Sequence, residues 1–208
     1  DKQGKIRQRL LKIRAKKVIL ATGALERPLI FNNNDRPGIM LSSAVNKYAD
    51  FYGVVCGQKT VFFTNNDSAY ESAFCLHNKG IKVEAIIDIR DNSNSKIVKA
   101  VEDAGIKIHW SHTVVDTSGY KRLKNISVMR LSNDGMSVTG NRIKISSDCL
   151  GISGGWTPAV HLFTQSGGKL SFDEENKVFL PNKYPSEQIS IGSCNGDFEI
   201  SKIIKNLS

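Results

Sequence analysis

Residues 60–79 read TVFFTNNDSAYESAFCLHNK, and the fold is decided there. Residues 60–63 are a short run of β-branched and aromatic side chains. The polar turn Thr64-Asn65-Asn66-Asp67 follows, and then Ala69, Ala73, Phe74 and Leu76 recur at helical spacing until Gly80. A second apolar run over 82–87 ends at Asp88. Strand, turn, helix and strand predict a βαβ unit with the outline of a dinucleotide-binding half-domain. Its ligand chemistry is incomplete. In the glycine fingerprint of such turns, the two positions that bend the chain and admit a pyrophosphate fall on Thr64 and Asn66. Only the third, Ala69, is suitably small. Asp88 stands about twenty residues past the turn, where an acid would meet a ribose hydroxyl. With Asn66 in the turn it reads better as a solvated strand end. Thr64, Asn65, Asn66, Asp67, Ser68 and Asp88 therefore make a degenerate nucleotide site.

Downstream, 96–104 has helical spacing and is stopped by Gly105, and 106–109 supplies a third strand. The segments 113–116, 123–131 and 142–146 are β-rich and separated by glycine turns. Residues 54–147 are thus expected to be a module that folds by itself, of about a hundred residues. Upstream, Ser42 or Ser43 can cap a helix running to about Tyr52. A turn-rich loop, 32–38, precedes it. The apolar run 18–21 predicts a buried parallel strand ending in Ala21-Thr22-Gly23-Ala24. Two more strand-to-glycine turns follow the module, at 150–154 and 189–192, and a helix begins near 198. The fold class is α/β: a Rossmann-like three-layer βαβ nucleotide-binding module (54–147) inserted in a partial FAD/NAD(P)-binding host domain (1–53 and 148–208). Thr22, Gly23, Ala24, Gly154, Gly155 and Gly192 are positions where backbone can approach a cofactor. Arg27 either pairs with a phosphate or forms a surface pair with Glu26.

The chain has 208 residues, 40% of them hydrophobic, enough for a substantial core. Its net charge of +9 is uneven. Lys2, Lys5, Arg7, Arg9, Lys12, Arg14, Lys16 and Lys17 are opposed in the first seventeen residues only by Asp1, and the remainder is near balance. Leu11, Ile13 and Ala15 alternate with Lys12, Arg14 and Lys16, so the basic stretch reads as a solvated β-ribbon rather than a nucleic-acid surface. Cys56, Cys75, Cys149 and Cys194 are widely spaced, form no C-x-x-C, and are expected reduced and buried in a cytoplasmic protein. His109 and His112 are separated by a strand break without a nearby carboxylate, so no metal site is expected. His161 and Trp156 read as structural. No run is long enough for a membrane span.

Three longer strings sharpen the picture: ATGALERPLIFNNNDRPGIML (21–41), VFFTNNDSAY (61–70) and GGWTPAVHLFTQSGGKL (154–170). The order of turns resembles the flavoprotein reductases with two dinucleotide-binding domains. The strings themselves resemble the α subunit of heterotetrameric sarcosine oxidase, where Asn65-Asn66 in place of glycines is a shared feature. Leu25 departs from the His expected there, and Ser193 stands where ordinary reductases carry an Asp that reaches the flavin ribityl chain. The resemblance implies an internal segment of a longer subunit with no catalytic residue of its own. It implies NAD in the full α subunit, FAD and FMN elsewhere in the complex, none of them bound tightly by this segment, and other subunits of the heterotetramer as partners. Nucleic acid and membrane are not expected. Two other readings are a free-standing NAD(P)H-dependent flavin reductase of thioredoxin-reductase type, disfavoured by the missing C-x-x-C and GxGxxG, and a non-catalytic interaction module.

Overall fold

The computed structural model describes residues 8–185 and 187–205. In chain order its elements are β1 (Val18–Leu20), β2 (Ala24–Glu26), β3 (Ile39–Leu41), α1 (Ser42–Asp50), β4 (Thr60–Thr64), α2 (Ser68–Asn78), β5 (Val83–Asp88) and α3 (Lys96–Asp103). Then come β6 (Ile108–His109), β7 (His112–Ser118), β8 (Asn125–Leu131), β9 (Val138–Ser146), β10 (Cys149–Ser153) and β11 (Trp156–Pro158). The chain ends with α4 (His161–Gln165), β12 (Lys169–Asp173), β13 (Val178–Lys183), β14 (Gln188–Ser190), a 3₁₀ turn (Gly192–Asn195) and α5 (Ile200–Lys205). Two compact units result, one from Glu26 to Trp156 and one formed by the segments up to Leu25 and from Thr157 onward.

The larger unit is built on a five-stranded parallel sheet, β3-β10-β4-β5-β6. Period-2 alternation in β4 sends neighbouring side chains to opposite faces. Phe62 joins Ile86, Cys149 and the inner faces of α1, α2 and α3 on one side. Val61 and Phe63 join Ile87, Leu150 and the antiparallel meander β7-β8-β9 on the other. All five residues of β4 and of β10 are buried, as expected for strands covered on both faces. Each large side chain so buried contributes roughly 2–3 kcal/mol. Gly151 is the close-approach point of β10: a Cβ there would lie 2.7 Å from the Phe62 ring. The three expected strands of the βαβ unit are present, with β6 shorter than predicted. The sheet extends past the βαβ unit, however: β10, which lies between β3 and β4, is outside 54–147, and so is β3, whose residues gave no separate strand signal.

Helix α1 begins where predicted, but neither serine caps it through its own side chain; the capping position is Leu41. Glu26 does the work instead, its carboxylate accepting from the Ser43 amide (3.0 Å) and from both serine hydroxyls. A carboxylate at a helix N-terminus is favoured by the dipole. Glu26 is buried rather than part of a surface pair.

In the smaller unit, the strands expected at 18–21 and 188–191 form β1 and β14, which pair in parallel. The expected burial of this strand is not met within the unit: Val18 and Ile19 are 42% and 58% exposed. A hairpin of β12 and β13, unforeseen in the sequence, completes the unit. No strand forms over 8–15, and Leu10, Leu11 and Ile13 are exposed. Alternation without a partner strand to pair with holds no ladder. Lys2, Lys5 and Arg7 lie outside the described residues. All four thiols are free: Cys149 and Cys194 are buried, Cys56 and Cys75 half-buried. Burial pushes the Cys149 thiol up to about 12.

Candidate functional site

The turn between β4 and α2 is closed by its own side chains. Thr64 Oγ1 accepts from the Asn66 amide (3.1 Å) and donates to the Asn66 carbonyl (2.9 Å). Asn66 then folds back over the start of α2. Its Oδ1 accepts from the Ser68 amide (3.1 Å) and hydroxyl (2.6 Å), and its Nδ2 donates to Ser153 Oγ (3.1 Å), the Ser153 carbonyl (3.2 Å) and Asn65 Oδ1 (3.0 Å). Trp156 completes the group, its Nε1 donating to Ser68 Oγ (3.1 Å). In a dinucleotide site the free amides at this helix N-terminus would face a pyrophosphate. Here an amide oxygen already takes the first of them. The residues present therefore do not fit a pyrophosphate without displacing Asn66.

Asp88 is the second departure. It is fully buried, not solvated. Arg90, two residues on, returns over it with Nη2 2.8 Å from Oδ2 and Nε 3.1 Å from Oδ1, and the Arg90 amide adds a bond of 2.9 Å. Tyr70 donates from α2 to Oδ2 (2.8 Å). The same guanidinium reaches Asp67 Oδ1 (2.8 Å), and Ser93 donates to that oxygen (3.3 Å). Burial, the Asp88 charge and the Asp88 hydrogen bond raise the Tyr70 pKa, so the phenol stays protonated. Burial works to lower the Arg90 pKa, but the hydrogen bonds and charges of Asp88 and Asp67 outweigh it and hold it above its ordinary value. The carboxylate that would meet a ribose is saturated by protein donors. An Arg two residues after a strand-end acid was the signal available in the sequence; the Tyr70 contact needed the helix to be in place.

Between α1 and α2 lies a cavity of about 370 Å³, lined in part by Ser43, Asn46, Glu71 and Trp156. Glycines 154 and 155 belong to the same unit and are occupied by Arg27. The Gly154 amide donates to the Arg27 carbonyl (2.7 Å) and the Arg27 amide to the Gly155 carbonyl (2.8 Å). A Cβ on Gly154 would lie 3.0 Å from the Pro28 carbonyl oxygen, and one on Gly155 2.9 Å from Arg27 Nη2. These three expected cofactor residues are brought together, bonded to one another through their backbones.

In the smaller unit the turn after β1 is of the other kind. Gly23 is left-handed (φ +75°), and a Cβ there would approach nothing closer than Ser193 Oγ at 4.0 Å. Thr22 Oγ1 donates to the Ala159 carbonyl (2.6 Å) and the Ala159 amide to the Gly23 carbonyl (2.9 Å). Gly192, after β14, is also left-handed (φ +73°). Cys194 is buried against the Leu20 and Ile191 carbonyls (3.3 and 3.1 Å). Open space beside Gly23 is what a backbone approach to a cofactor needs.

His109 and His112 meet edge to face, with ring centroids 5.5 Å apart. Among the described residues no group of three or more metal-ligating side chains occurs, and no helix is long and apolar enough to cross a membrane.

No protein-family profile matches the chain. Sarcosine oxidase subunit alpha of Corynebacterium sp. (strain P-1) is 38% identical over 203 residues, 97% of this chain and 21% of that protein. The subunit of the same name from Rhizobium meliloti (strain 1021) is 36% identical over 176 residues, 83% of this chain and 16% of that protein. The resemblance read in the three strings thus extends over nearly the whole chain, while the chain spans about a fifth of the length of the relatives it matches. Among solved structures, T. acidophilum thioredoxin reductase superposes with a TM-score of 0.69 at 20% identity, covering 92% of this chain and 62% of that one. A FAD-dependent pyridine nucleotide-disulphide oxidoreductase from Desulfovibrio vulgaris gives 0.60 at 16% identity, covering 88% and 46%. At these identities the likeness bears on fold alone, and the fold is the Rossmann-type α/β expected.

Proposed function

We propose that the chain is the nucleotide-binding scaffold segment of the α subunit of a flavin-dependent sarcosine oxidase. The observation that carries this reading is the 38% identity over 97% of the chain to a sarcosine oxidase α subunit. On it, the domain division is a host domain of FAD/NAD type (1–53 and 148–208) interrupted by a nucleotide-binding-like insert (54–147). The host turns, Thr22-Gly23-Ala24 and Gly192, would lie along a dinucleotide, which we assign as NAD in the full subunit. That group would supply binding and assembly to this segment rather than chemistry. FAD and FMN elsewhere in a cytoplasmic heterotetramer would carry out the oxidative demethylation of sarcosine to glycine, with the one-carbon unit passed to tetrahydrofolate and oxygen reduced to peroxide.

This chain's own residues have structural tasks in that scheme. Asn66 satisfies the α2 N-terminus, Arg90 neutralises Asp88, and Glu26 caps α1. None is placed as an acid, base or nucleophile toward an open site. The test is peroxide release from sarcosine by the purified chain supplied with FAD, FMN and NAD. No turnover above the enzyme-free rate is expected. Turnover that survives repurification overturns the assignment of a non-catalytic scaffold.

A further inference from the structure

The meander β7-β8-β9 has two outer edges, and they differ. The β7 edge is tied to a neighbouring loop. The Asn32 and Asn33 amides both donate to Asp116 Oδ1 (3.2 and 2.9 Å), and Thr117 Oγ1 donates to the Asn33 carbonyl (2.9 Å). The β9 edge is open: among the described residues β9 pairs with β8 alone, and every residue from Val138 to Lys144 is exposed. From Ile143 to Ser146 its pairing with β8 is regular, so its other side offers an unpaired run of N–H and C=O groups. Such an edge is a template for one more strand.

Charge decides what kind of strand. Ile145 packs toward the core, which puts Arg142 and Lys144 together on the outer face. Lys59 reaches the end of β9, its Nζ donating to Ser146 Oγ (3.4 Å), and the Ser147 amide bonds the Lys124 carbonyl (3.0 Å), setting Lys124 at the same end. The acids nearby compensate little of this. Arg142 is 4.0 Å from Asp116 and Arg122 3.7 Å from Asp148, both between partly exposed groups. Lys59, Lys124 and Lys144 have no ion pair among the described residues. Basic residues on an edge discourage pairing with a like copy, because Arg142 and Lys144 would meet themselves. They attract an acidic strand by the same rule. We propose that the open edge of β9 receives an acidic, extended peptide segment of a partner protein as a fourth strand of this sheet, with Arg142 and Lys144 selecting its charge.

The test uses the full 208-residue chain and three fluorescein-labelled peptides read by anisotropy: an alternating glutamate-valine heptapeptide, its lysine-valine counterpart, and the acidic peptide N-methylated at alternate residues. The acidic peptide is expected to bind saturably and to slow hydrogen exchange of β9 amides. The basic and the N-methylated peptides are each expected to bind at least about tenfold more weakly. In the double variant Arg142→Glu/Lys144→Glu the order of acidic and basic peptides should reverse. Equal binding of the acidic peptide and its N-methylated form would reduce the effect to surface charge and overturn strand addition. Failure of the acidic peptide to bind, or self-association of the chain through β9, overturns the proposal as well. The two acidic peptides on the parent chain decide the matter even if the double variant misfolds.

Discussion

The turn at Thr22–Ala24 and the turn at Thr64–Ser68 both follow a parallel strand, but the first leads into strand β2 and the second into helix α2, and only the second must satisfy a helix N-terminus. At Gly23 a left-handed residue without a side chain leaves space within the turn. At Asn66 the side chain folds back over the turn and bonds the first amide of α2, as a ligand at a helix N-terminus would. The difference teaches that the fold needs the helix N-terminus satisfied, but not by a nucleotide. An amide side chain suffices, and a nucleotide-binding architecture can persist after its glycines are gone.

The comparison is broken most severely by cutting the larger unit. A chain of residues 26–156 contains every strand of the parallel sheet, whereas 54–147 lacks β3 and β10. Without β10, Val61 and Phe63 lose Leu150 and Ile152 as neighbours, and β4 becomes an open edge. Residues 26–156 are expected to give a dispersed amide NMR spectrum and cooperative urea unfolding, and 54–147 a collapsed spectrum. A dispersed spectrum for 54–147 would show that β10 is dispensable.

Next in size is Arg90→Ala. It leaves the Asp88 carboxylate fully buried with Tyr70 as its remaining side-chain donor. Stranding a buried charge costs about 3–5 kcal/mol, and partial exposure of Arg90 puts the expected loss at about 3 kcal/mol in urea denaturation. Asp88→Asn/Arg90→Ala, which removes both charges, should recover much of it. A loss no larger than a surface substitution would mean that water already reaches Asp88.

Thr64→Gly/Asn66→Gly converts the filled turn toward the open kind. Loss of the Asn66 bonds to Ser68 and Ser153 is expected to cost about 1 kcal/mol, the usual value of a helix cap. The parent chain is expected to show no saturable binding of NADH or NADPH by calorimetry. The variant should gain it, in the range of about −8 kcal/mol if the site is fully restored. Micromolar binding by the parent, at a site mapped to Asn66, would show that the asparagine yields to the ligand.

Much of this architecture was readable from 60–88, because a buried parallel strand, a polar turn and an amphipathic helix each leave a local pattern. What escaped was non-local. Residues 150–154 read as a strand running into a glycine turn, but nothing in LGISG says that the strand enters between β3 and β4. Glu26 looked like a surface acid because its partners, Ser42 and Ser43, come sixteen residues later. Asp88 looked solvated because burial depends on Arg90 curling back and Tyr70 arriving from α2. The glycine-less turn at Thr64–Ser68 was legible as a break in the fingerprint pattern. That Asn66, Ser153 and Trp156 jointly close it required the fold.

The smallest expected effect concerns pH and His109, on the last strand of the same sheet. Burial, followed by the Lys107 charge and His112, lowers its pKa below the ordinary 6.5. The folded chain therefore binds fewer protons than the unfolded chain at pH just below 6.5, so stability rises with pH in that window. It is fully present above 6.5 and is lost as pH falls through the depressed folded value. His112 shares the region, with Nδ1–H donating to the Trp110 carbonyl (2.6 Å), so a single substitution must separate the two rings. His109→Gln is expected to flatten the dependence of Tm on pH between about 5 and 6.5, and His112→Gln to leave part of it. The aspartates with depressed values, Asp116 held down first by its hydrogen bond from Asn33, lose their contribution only below 3.8, outside this window. A slope unchanged in His109→Gln would mean that the burial of this ring carries no proton-linked cost.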